Sequence, residues 1–367
     1  MSIAGRATAA GTRTYAERFA GRLAAEHFRS LADLTVSSLG IGTYLGEHDD
    51  ATDALYADAV QCAVQLGCNV IDTAINYRFQ RSERAVGAAL RALLDRGFRR
   101  QELVVATKGG FLPFDGAPPA DAAAWFQETF VAPGVARFED IVGGCHVMTP
   151  AYLQHQIDTS RRNLGLDCLD IYYLHNPETQ LQEVSKEEFF RRLKRAFETL
   201  EANVAAGKLA RYGSATWNAY RLKPSALDYL PLEEVVEAAR EVAGEGHHFR
   251  VVQLPLNLGM PQALGERNQP VQGRMRSALE AARELGLAVV ASASIHQGQM
   301  ARGLPPVVAQ TFPGLETDAQ RALQFTRSAP GVRVALVGMR QRAHVEENLA
   351  LAALPPAPEA QVGKLFR

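Results

Sequence analysis

Short apolar runs alternate along the chain with longer segments whose apolar residues recur at helical spacing. Continuous apolar runs of this length are typical of parallel strands buried on both faces. They predict eight strands, at residues 39–43, 69–72, 103–108, 169–175, 210–215, 250–256, 288–291 and 332–337. The segments that follow them predict eight helices, at residues 53–66, 82–95, 150–164, 186–206, 232–242, 271–285, 318–328 and 343–351.

This alternation predicts an α/β fold, a TIM (β/α)8 barrel, because parallel strands joined by right-handed crossovers close naturally at eight units. A doubly wound open sheet is the competing architecture. Residues 28–37 alternate enough to predict an N-terminal hairpin. We therefore expect an N-terminal extension at residues 1–26, disordered up to residue 13 and helical over 14–25, and a single barrel domain at residues 27–367.

One connection is far longer than the others. Residues 109–149 separate the third strand from its helix, and connections of this kind usually take only a few residues. The segment carries Trp125, Phe126, Phe130 and Phe138, too many aromatic residues for a disordered loop. Because it leaves the carboxyl end of a strand, where barrels place their active sites, it predicts an inserted lobe that covers a substrate.

Composition narrows the class of protein. The chain has 367 residues, of which 47% are hydrophobic and 22% charged, with a net charge of −1, as in ordinary soluble proteins. This charge favours neither nucleic acid nor an anionic membrane as a partner. The four cysteines form no C-x-x-C pair, and we expect no metal site. No membrane-spanning run or signal peptide is evident, so a cytoplasmic protein is expected.

Three polar residues follow consecutive predicted strands. Asp72 ends the second, Lys108 the third and His175 the fourth, while Tyr77 lies on the loop after the second. In a barrel these four side chains converge on one side of the mouth. Each residue alone is more often structural, but together they suit the reduction of a carbonyl. Tyr77 would donate a proton, Lys108 paired with Asp72 would lower the pKa of Tyr77, and His175 would orient the carbonyl oxygen.

The stretches around these residues resemble the aldo-keto reductases. The matching motifs are Asp72-Thr-Ala-Ile-Asn-Tyr77 with Ser82-Glu83 and Gly87, Ala106-Thr-Lys108, Asp170-Ile-Tyr-Tyr-Leu-His175, and Leu336-Val-Gly-Met-Arg340 with Glu346-Glu-Asn348. The resemblance runs from about Phe28 to Leu354 in the family's order. It implies a TIM barrel without a Rossmann domain, a nicotinamide cofactor (usually NADPH) and carbonyl–alcohol interconversion. It also implies that Tyr77 is the acid/base, Lys108 and Asp72 its tuning pair, and His175 the orienting residue.

A phosphate site is expected after the last two strands, where barrels commonly bind phosphate. Backbone amides and the guanidinium groups of Arg340 and Arg342 would form it. By the resemblance, Arg340 matches a contact to the adenosine 2′-phosphate, Glu347 and Asn348 match adenine contacts, and His344 stands where Gln or Arg is usual. The predicted cofactor-binding residues are Thr43, Tyr44, Thr216, Gln253, Ser294, Gln297, Gly298, Gly338, Arg340, His344, Glu347 and Asn348.

The nicotinamide end departs from the family pattern at two places. The family often holds the carboxamide with Ser-Asn after the fifth strand, and here Thr216 or Asn218 must substitute, whereas Gln253 matches the third contact. After the seventh strand the family usually has a Tyr or Trp that stacks on the nicotinamide, and this chain has Ala293 at that position. Trp217 or an aromatic residue of the inserted lobe is the candidate replacement.

The sequence as a whole predicts an NADP(H)-dependent oxidoreductase that interconverts a small-molecule carbonyl and an alcohol, with NADH as the alternative cofactor. Two other functions stay open. One is a nicotinamide-binding regulatory subunit with low turnover, and the other is a lyase or isomerase that reuses the acid/base group without net redox chemistry.

Overall fold

The computed structural model describes residues 2–366, and its centre is a closed barrel of eight parallel strands. The strands are β1 (Phe28–Leu31), β2 (Leu34–Ser37), β3 (Leu39–Gly42), β4 (Val70–Asp72), β5 (Val104–Gly109), β6 (Ile171–His175), β7 (Tyr212–Ala215), β8 (Phe249–Pro255), β9 (Gln269–Val271), β10 (Arg274–Arg276), β11 (Ala288–Ser292) and β12 (Val332–Gly338). Around the ring the order is β3, β4, β5, β6, β7, β8, β11 and β12, and β12 pairs with β3 to close it. The predicted TIM barrel is confirmed.

Helices follow the barrel strands along the chain. The α-helices are α1 (Ala9–Glu17), α2 (Asp50–Gln65), α3 (Arg81–Asp95), α4 (Ala122–Phe126), α5 (Pro150–Leu164), α6 (Lys186–Ala205), α7 (Leu232–Ala243), α8 (Gln262–Gly265), α9 (Ala278–Glu284), α10 (Pro306–Thr311), α11 (Asp318–Ser328), α12 (Arg342–Leu349) and α13 (Glu359–Val362). Over residues 2–366, no helix combines the length and the apolar character that crossing a membrane requires.

Two apolar layers explain why the barrel strands are apolar along their whole length. Alternate residues of a strand point to opposite faces. In β5, Val105 packs into the cluster shared with the surrounding helices, whereas Val104 and Ala106 belong to the cluster that fills the barrel. Leu31 and Leu34 of the β1–β2 hairpin join this inner cluster, so the hairpin packs against the inside of the barrel.

One predicted helix, at residues 271–285, is wrong over its first half. The hairpin β9–β10 occupies that part, and α9 begins only after Ser277, whose Oγ accepts a hydrogen bond from the Glu280 N–H. Gln272 and Gly273 have φ values of 48° and 75°, the positive pair that a two-residue type I′ turn requires. The apolar residues keep helical spacing across this turn, so periodicity alone does not reveal the hairpin.

The N-terminal segment is ordered and packed against the barrel, so the expected disorder up to residue 13 is wrong. The Ile3 N–H donates to the Gly165 carbonyl at 2.7 Å, and the Ala7 N–H donates to Asp170 Oδ1 at 2.6 Å. Tyr15 of α1 is fully buried, and its hydroxyl donates to the Val64 carbonyl. We propose that residues 1–26 extend a single barrel domain at 27–367, although Met1 and Arg367 lie outside the described residues.

Candidate active site

A cavity of about 850 Å³ lies at the carboxyl ends of the barrel strands. This is the end at which TIM barrels place their active sites, and the volume is within the range of cofactor and small-molecule sites. Asp72, Tyr77 and His175 line it, and Lys108 lies behind them with 1% of its surface exposed. The fold therefore brings the four predicted catalytic residues together.

Lys108 is held between an acid and an aromatic ring. Its Nζ donates to Asp72 Oδ1 at 2.5 Å and to the Thr73 carbonyl at 2.8 Å. The same Nζ lies 4.8 Å from the centroid of the Tyr77 ring. Gln253 completes the arrangement, because its Nε2 donates to Asp72 Oδ2 at 2.8 Å. A buried ion pair is tolerated when further hydrogen bonds satisfy its remaining atoms, as they do here.

The pKa of Tyr77 departs from the sequence-based expectation. Burial raises it above its usual value, and the neighbouring Lys108 ammonium lowers it only in part. Burial alone would lower the pKa of Lys108, but Asp72 and Tyr77 raise it overall. At neutral pH the pair is therefore a neutral phenol beside an ammonium group, which is the protonation state of a proton donor. The prediction that Tyr77 titrates nearer neutrality is wrong for this form of the protein.

His175 is held between two aromatic rings. Its ring centroid lies 5.8 Å from that of Tyr77 and 4.9 Å from that of Phe111, both in edge-on geometry. Burial, together with the charge of Lys108, lowers the pKa of His175 well below its usual value. The imidazole is therefore neutral at physiological pH and can form an uncharged hydrogen bond to a carbonyl oxygen.

The loop that carries Tyr77 is fixed by bonds from Arg78 to a neighbouring segment of the chain. Arg78, Phe79 and Gln80 have positive φ values of 49°, 56° and 68°, which turn the chain from β4 into α3. The Arg78 guanidinium is buried, donates to the Glu47 carbonyl at 2.7 Å and pairs with Asp53 at 2.6 Å. Arg78 therefore ties its loop to the segment between β3 and α2 and to α2 itself, and does not offer a free cation to an acidic substrate.

Nearly all of the predicted cofactor-binding residues border the same cavity. Those in its lining are Thr43, Tyr44, Thr216, Gln253, Ser294, Gln297, Gly298, Gly338, His344, Glu347 and Asn348. Within the described chain, Arg340 is the member of the predicted set that the lining does not include. Arg340 is exposed, and its guanidinium lies beside Gly46, because a Cβ atom added at Gly46 would be 3.1 Å from the Arg340 Nη1. The binding roles of these residues stay predictions.

Arg342, the second arginine predicted at the phosphate site, makes its contacts outside the cavity. Arg342 begins α12, and its guanidinium pairs with Asp58 of α2 at 3.0 Å. Both side chains are about half exposed, so the pair is open to solvent. Arg342 therefore joins two outer helices in this structure and lies apart from the cavity lining.

No aromatic side chain stands at the position predicted for nicotinamide stacking. Ser292 ends β11, and Ala293 follows with a φ of 54°; both line the cavity. The aromatic residues that border the cavity from other loops are Tyr44 after β3, Tyr77 after β4, Phe111 after β5 and Trp217 after β7. Of these, Trp217 and Phe111 are the two kinds of replacement that the sequence predicts.

The inserted lobe packs beside the barrel. Phe126, Phe130 and Val147 form a small apolar core with Tyr152 of α5. Of residues 109–149, all of which the structure describes, Phe111 is the one in the cavity lining. The prediction that this segment covers the substrate is therefore wrong for most of its length, because Trp125, Phe126 and Phe130 pack in the core of the lobe and Phe138 is exposed.

Several cavity residues have no counterpart in the sequence prediction. Arg302, Asn76 and Asn176 line the cavity together with residues of the predicted set. Arg302 lies in the irregular stretch between β11 and α11, and its basic side chain close to Gly298 was the available signal. Asn76 adjoins Tyr77, but an Asn in a loop carries no distinctive pattern.

The polar atoms of the cavity suit a nicotinamide dinucleotide. The hydroxyls of Thr216 and Ser294 and the side-chain carbonyls of Asn76 and Asn348 are buried with no hydrogen-bond partner among the described residues. Buried polar atoms are normally paired, so these four await a polar ligand or water. Thr216 and Ser294 would suit the carboxamide end, Arg302 the pyrophosphate and Asn348 the adenine.

Comparison with known proteins identifies the family of the chain. A model of the aldo/keto reductase family matches residues 38–230. The NADH-specific methylglyoxal reductase of Escherichia coli K12 is 28% identical over 148 residues, 39% of this chain and 39% of that protein. The aldo-keto reductase yakc [NADP(+)] of Schizosaccharomyces pombe is 25% identical over 210 residues, 55% of this chain and 48% of that protein. The matches thus span about half or less of these curated relatives.

Solved structures share the fold at low sequence identity. An aldo/keto reductase from Klebsiella pneumoniae in complex with NADP and acetate is 22% identical, with a TM-score of 0.61 over 93% of this chain and 95% of that one. The structure is a parallel eight-stranded barrel with four polar residues grouped at its mouth, Asp72, Tyr77, Lys108 and His175, which are called the tetrad below. The chain belongs to the aldo/keto reductase family, because the family model matches more than half of its length.

Proposed function

We propose that this protein reduces an aldehyde or ketone to the alcohol, or catalyses the reverse reaction, with NADPH or NADH as the cofactor. The observation that carries the proposal is the position of the Lys108 ammonium between the Asp72 carboxylate and the Tyr77 ring, at the wall of the cavity. The family membership and the unpaired polar atoms of the cavity support it.

Each residue of the tetrad has a task in this reaction. The nicotinamide, when bound, supplies the hydride that adds to the carbonyl carbon. Tyr77 delivers its phenolic proton to the carbonyl oxygen, and Lys108 stabilises the phenolate that is left. Asp72 keeps Lys108 charged, and neutral His175 holds the carbonyl oxygen beside the Tyr77 hydroxyl.

The mouth favours an uncharged substrate with an apolar or aromatic substituent. Tyr44 and Trp217 are 52% and 38% exposed at the cavity, and Phe111 forms a third aromatic wall. Such surfaces bind apolar groups and flat rings.

The test is Tyr77→Phe, assayed with a panel of aldehydes and ketones in the presence of NADPH or NADH. Loss of the proton donor should lower kcat by about 10²–10⁴-fold, the usual effect of removing a general acid. Cofactor affinity, measured by fluorescence titration, should stay near that of the wild type. The matched control is Tyr229→Phe, which removes a phenol that donates to the Asn268 carbonyl and should retain activity. Wild-type turnover in Tyr77→Phe would remove the tetrad from the mechanism.

A low-turnover nicotinamide-binding protein is the second candidate, and Ala293 favours it. Without an aromatic face at this position the nicotinamide loses about 1 kcal/mol of packing. Cofactor binding without turnover across the whole panel would support this candidate. Product formation that does not depend on added nicotinamide would instead support a lyase or isomerase.

A further inference from the structure

Glu178 is a buried carboxyl group beside the cavity, and the proposed chemistry gives it no task. It lies in the short 3-10 helix Pro177–Gln182, directly after the strand that ends in His175. Only 4% of its surface is exposed. Carboxyl groups are rarely buried unless they are paired. No ion pair to Glu178 is present among the described residues, so its placement needs an explanation.

The hydrogen bonds of Glu178 lead to the wall of the cavity. Its Oε1 accepts from the backbone N–H groups of Trp217 at 2.8 Å and Asn218 at 3.1 Å. These amides belong to the loop after β7, in which Thr216 and Trp217 line the cavity. The Asn176 N–H donates to the Ala215 carbonyl at 2.6 Å and brings the two strand ends side by side.

We propose that Glu178 is a positioning residue whose ionised carboxylate holds the 216–218 loop at the cavity wall, so that protonation of Glu178 loosens this wall. The effect on cofactor and substrate binding rests on the proposed function. The effect on the loop itself does not.

The two protonation states of Glu178 differ in how well they hold the loop. Hydrogen bonds from backbone N–H groups to a carboxylate are roughly twice as strong as those to a neutral acceptor. Protonation also adds an O–H donor that needs an acceptor. The Glu178 Oε2 atom is buried and has no partner among the described residues, so a proton there would leave that donor unpaired.

Tyr220 and Arg221, both in the loop after β7, interact electrostatically with Glu178, and the carboxylate of Asp228 accepts from the Asn218 Nδ2 at 2.6 Å on the same loop. The Tyr220 hydroxyl is bonded to Ser214, and burial raises the pKa of Tyr220 far above neutrality. Arg221 stays charged, and its Nε donates to the Trp217 carbonyl at 2.7 Å. Neither group changes charge near neutral pH. Burial raises the pKa of Glu178 to about 7, although the backbone N–H groups of Asn218 and Trp217 lower it in part.

The loop contains its own reporter, because the chain has two tryptophans, Trp125 in the lobe and Trp217 in the loop. The variant Trp125→Phe keeps an aromatic ring in the lobe and leaves Trp217 as the sole source of tryptophan emission. In this background we expect the emission of Trp217 to change with pH, with a midpoint near the pKa of Glu178, about 7. Adding Glu178→Gln should abolish the transition, since an amide accepts from both N–H groups but does not titrate. Adding Glu187→Gln, an exposed change on α6, should leave it intact.

Binding is measured separately. In the Trp125→Phe protein, the Kd for NADH, which lacks the titratable 2′-phosphate of NADPH, should be higher at pH 6 than at pH 8, and adding Glu178→Gln should reduce this difference. A pH-dependent emission without any binding of NADH or NADPH would support the loop proposal while counting against the proposed function. Turnover together with a pH-independent emission of Trp217 would support the proposed function while counting against the loop proposal.

A fluorescence transition that persists after Glu178→Gln is added would belong to another group, such as a histidine, and would overturn the proposal. The proposal would also be overturned if the Trp125→Phe protein showed no transition at all. Should Glu178→Gln fail to fold, hydrogen exchange of the unmodified protein decides. After correction for intrinsic exchange rates, the Trp217 and Asn218 amides should be less protected at pH 6 than at pH 8. Equal protection at both pH values would contradict the proposal.

Discussion

The two ends of the cavity are built in different ways. At the catalytic end, Lys108 and Asp72 are buried on strands, and both carboxylate oxygens of Asp72 have partners. At the opposite end, Arg340 and His344 are exposed on the loop and helix that follow β12. The first end is organised before a ligand arrives, whereas the second presents solvated polar side chains that a ligand must order. Under the proposed function, the chemistry is thus fixed in the barrel, and the choice of cofactor depends on exposed side chains that cost little to change.

The largest effect on stability should come from breaking the buried pair. Lys108→Met leaves the Asp72 carboxylate buried without its cation, which should lower the free energy of unfolding by about 3–5 kcal/mol. The matched control is Lys208→Met, because Lys208 and its partner Asp158 are each 30% exposed and such pairs contribute about 0–1 kcal/mol. Urea unfolding of both variants measures the contrast. Equal losses would show that the catalytic end is no more preorganised than the surface.

Acid should destabilise the catalytic end through a second buried histidine. His146 Nε2 faces the His175 carbonyl at 2.9 Å and must donate, while its Nδ1 faces the Gln180 amide nitrogen and must accept. Gln180 cannot turn over, because its Oε1 accepts from Arg192. His146 is therefore neutral in the folded protein, and burial lowers its pKa to about 4.

Neutral His146 makes the free energy of unfolding depend on pH. The folded pKa lies below the unfolded value of about 6.5, so the contribution of His146 is complete above pH 6.5 and is lost as the pH falls towards 4. Between pH 7 and 5.5 it should remove about 1 kcal/mol from the free energy of unfolding. Urea unfolding at both pH values should show a smaller difference in His146→Gln. His344→Gln, at the exposed end, should keep the wild-type difference.

The smallest effects should come from single arginines at the exposed end. Arg302→Ala should raise the Kd for NADPH and NADH alike, because the pyrophosphate is common to both. Arg340→Ala should raise the Kd for NADPH alone if it contacts the 2′-phosphate. Each change should be tenfold or less, about 1 kcal/mol, as for solvent-exposed charge pairs. Arg342→Ala, which removes a pair with Asp58, serves as the control. A loss of NADPH selectivity in Arg342→Ala rather than Arg340→Ala would reverse the assignment.

The sequence predicts the catalytic end better than its surroundings, for a physical reason. Asp72, Lys108 and His175 end apolar runs, and a closed barrel brings such ends together whatever the loops do. The high pKa of Tyr77 was missed because it depends on how deeply the loop buries the phenol. Arg302 was missed because it lies in an irregular stretch with no periodicity to place it.

Local turn chemistry explains the remaining differences. The sequence predicts a helix that begins at residue 82, but α3 begins at Arg81, directly after Gln80 with its φ of 68°, and the Ser82 hydroxyl donates to the Thr43 carbonyl. The β9–β10 hairpin likewise depends on two residues with positive φ. A residue's preference for a helical cap or spacing is weak, and contacts made elsewhere in the fold override it.

The inserted lobe leaves the barrel and returns to it at almost the same point. The Val147 N–H donates to the Gly110 carbonyl at 2.9 Å, and the Leu112 N–H donates to the Cys145 carbonyl at 2.8 Å. The residues between Leu112 and Cys145 form a closed excursion whose length does not alter the distance from β5 to α5. The outer part of the excursion, residues 117–141, can therefore change length without moving β5 or α5. Residues 113–116 cannot be exchanged as freely, because the Gln80 Nε2 donates to the Pro113 carbonyl at 3.0 Å and the Gly116 N–H donates to the Phe79 carbonyl at 2.9 Å, and these contacts hold the loop that carries Tyr77.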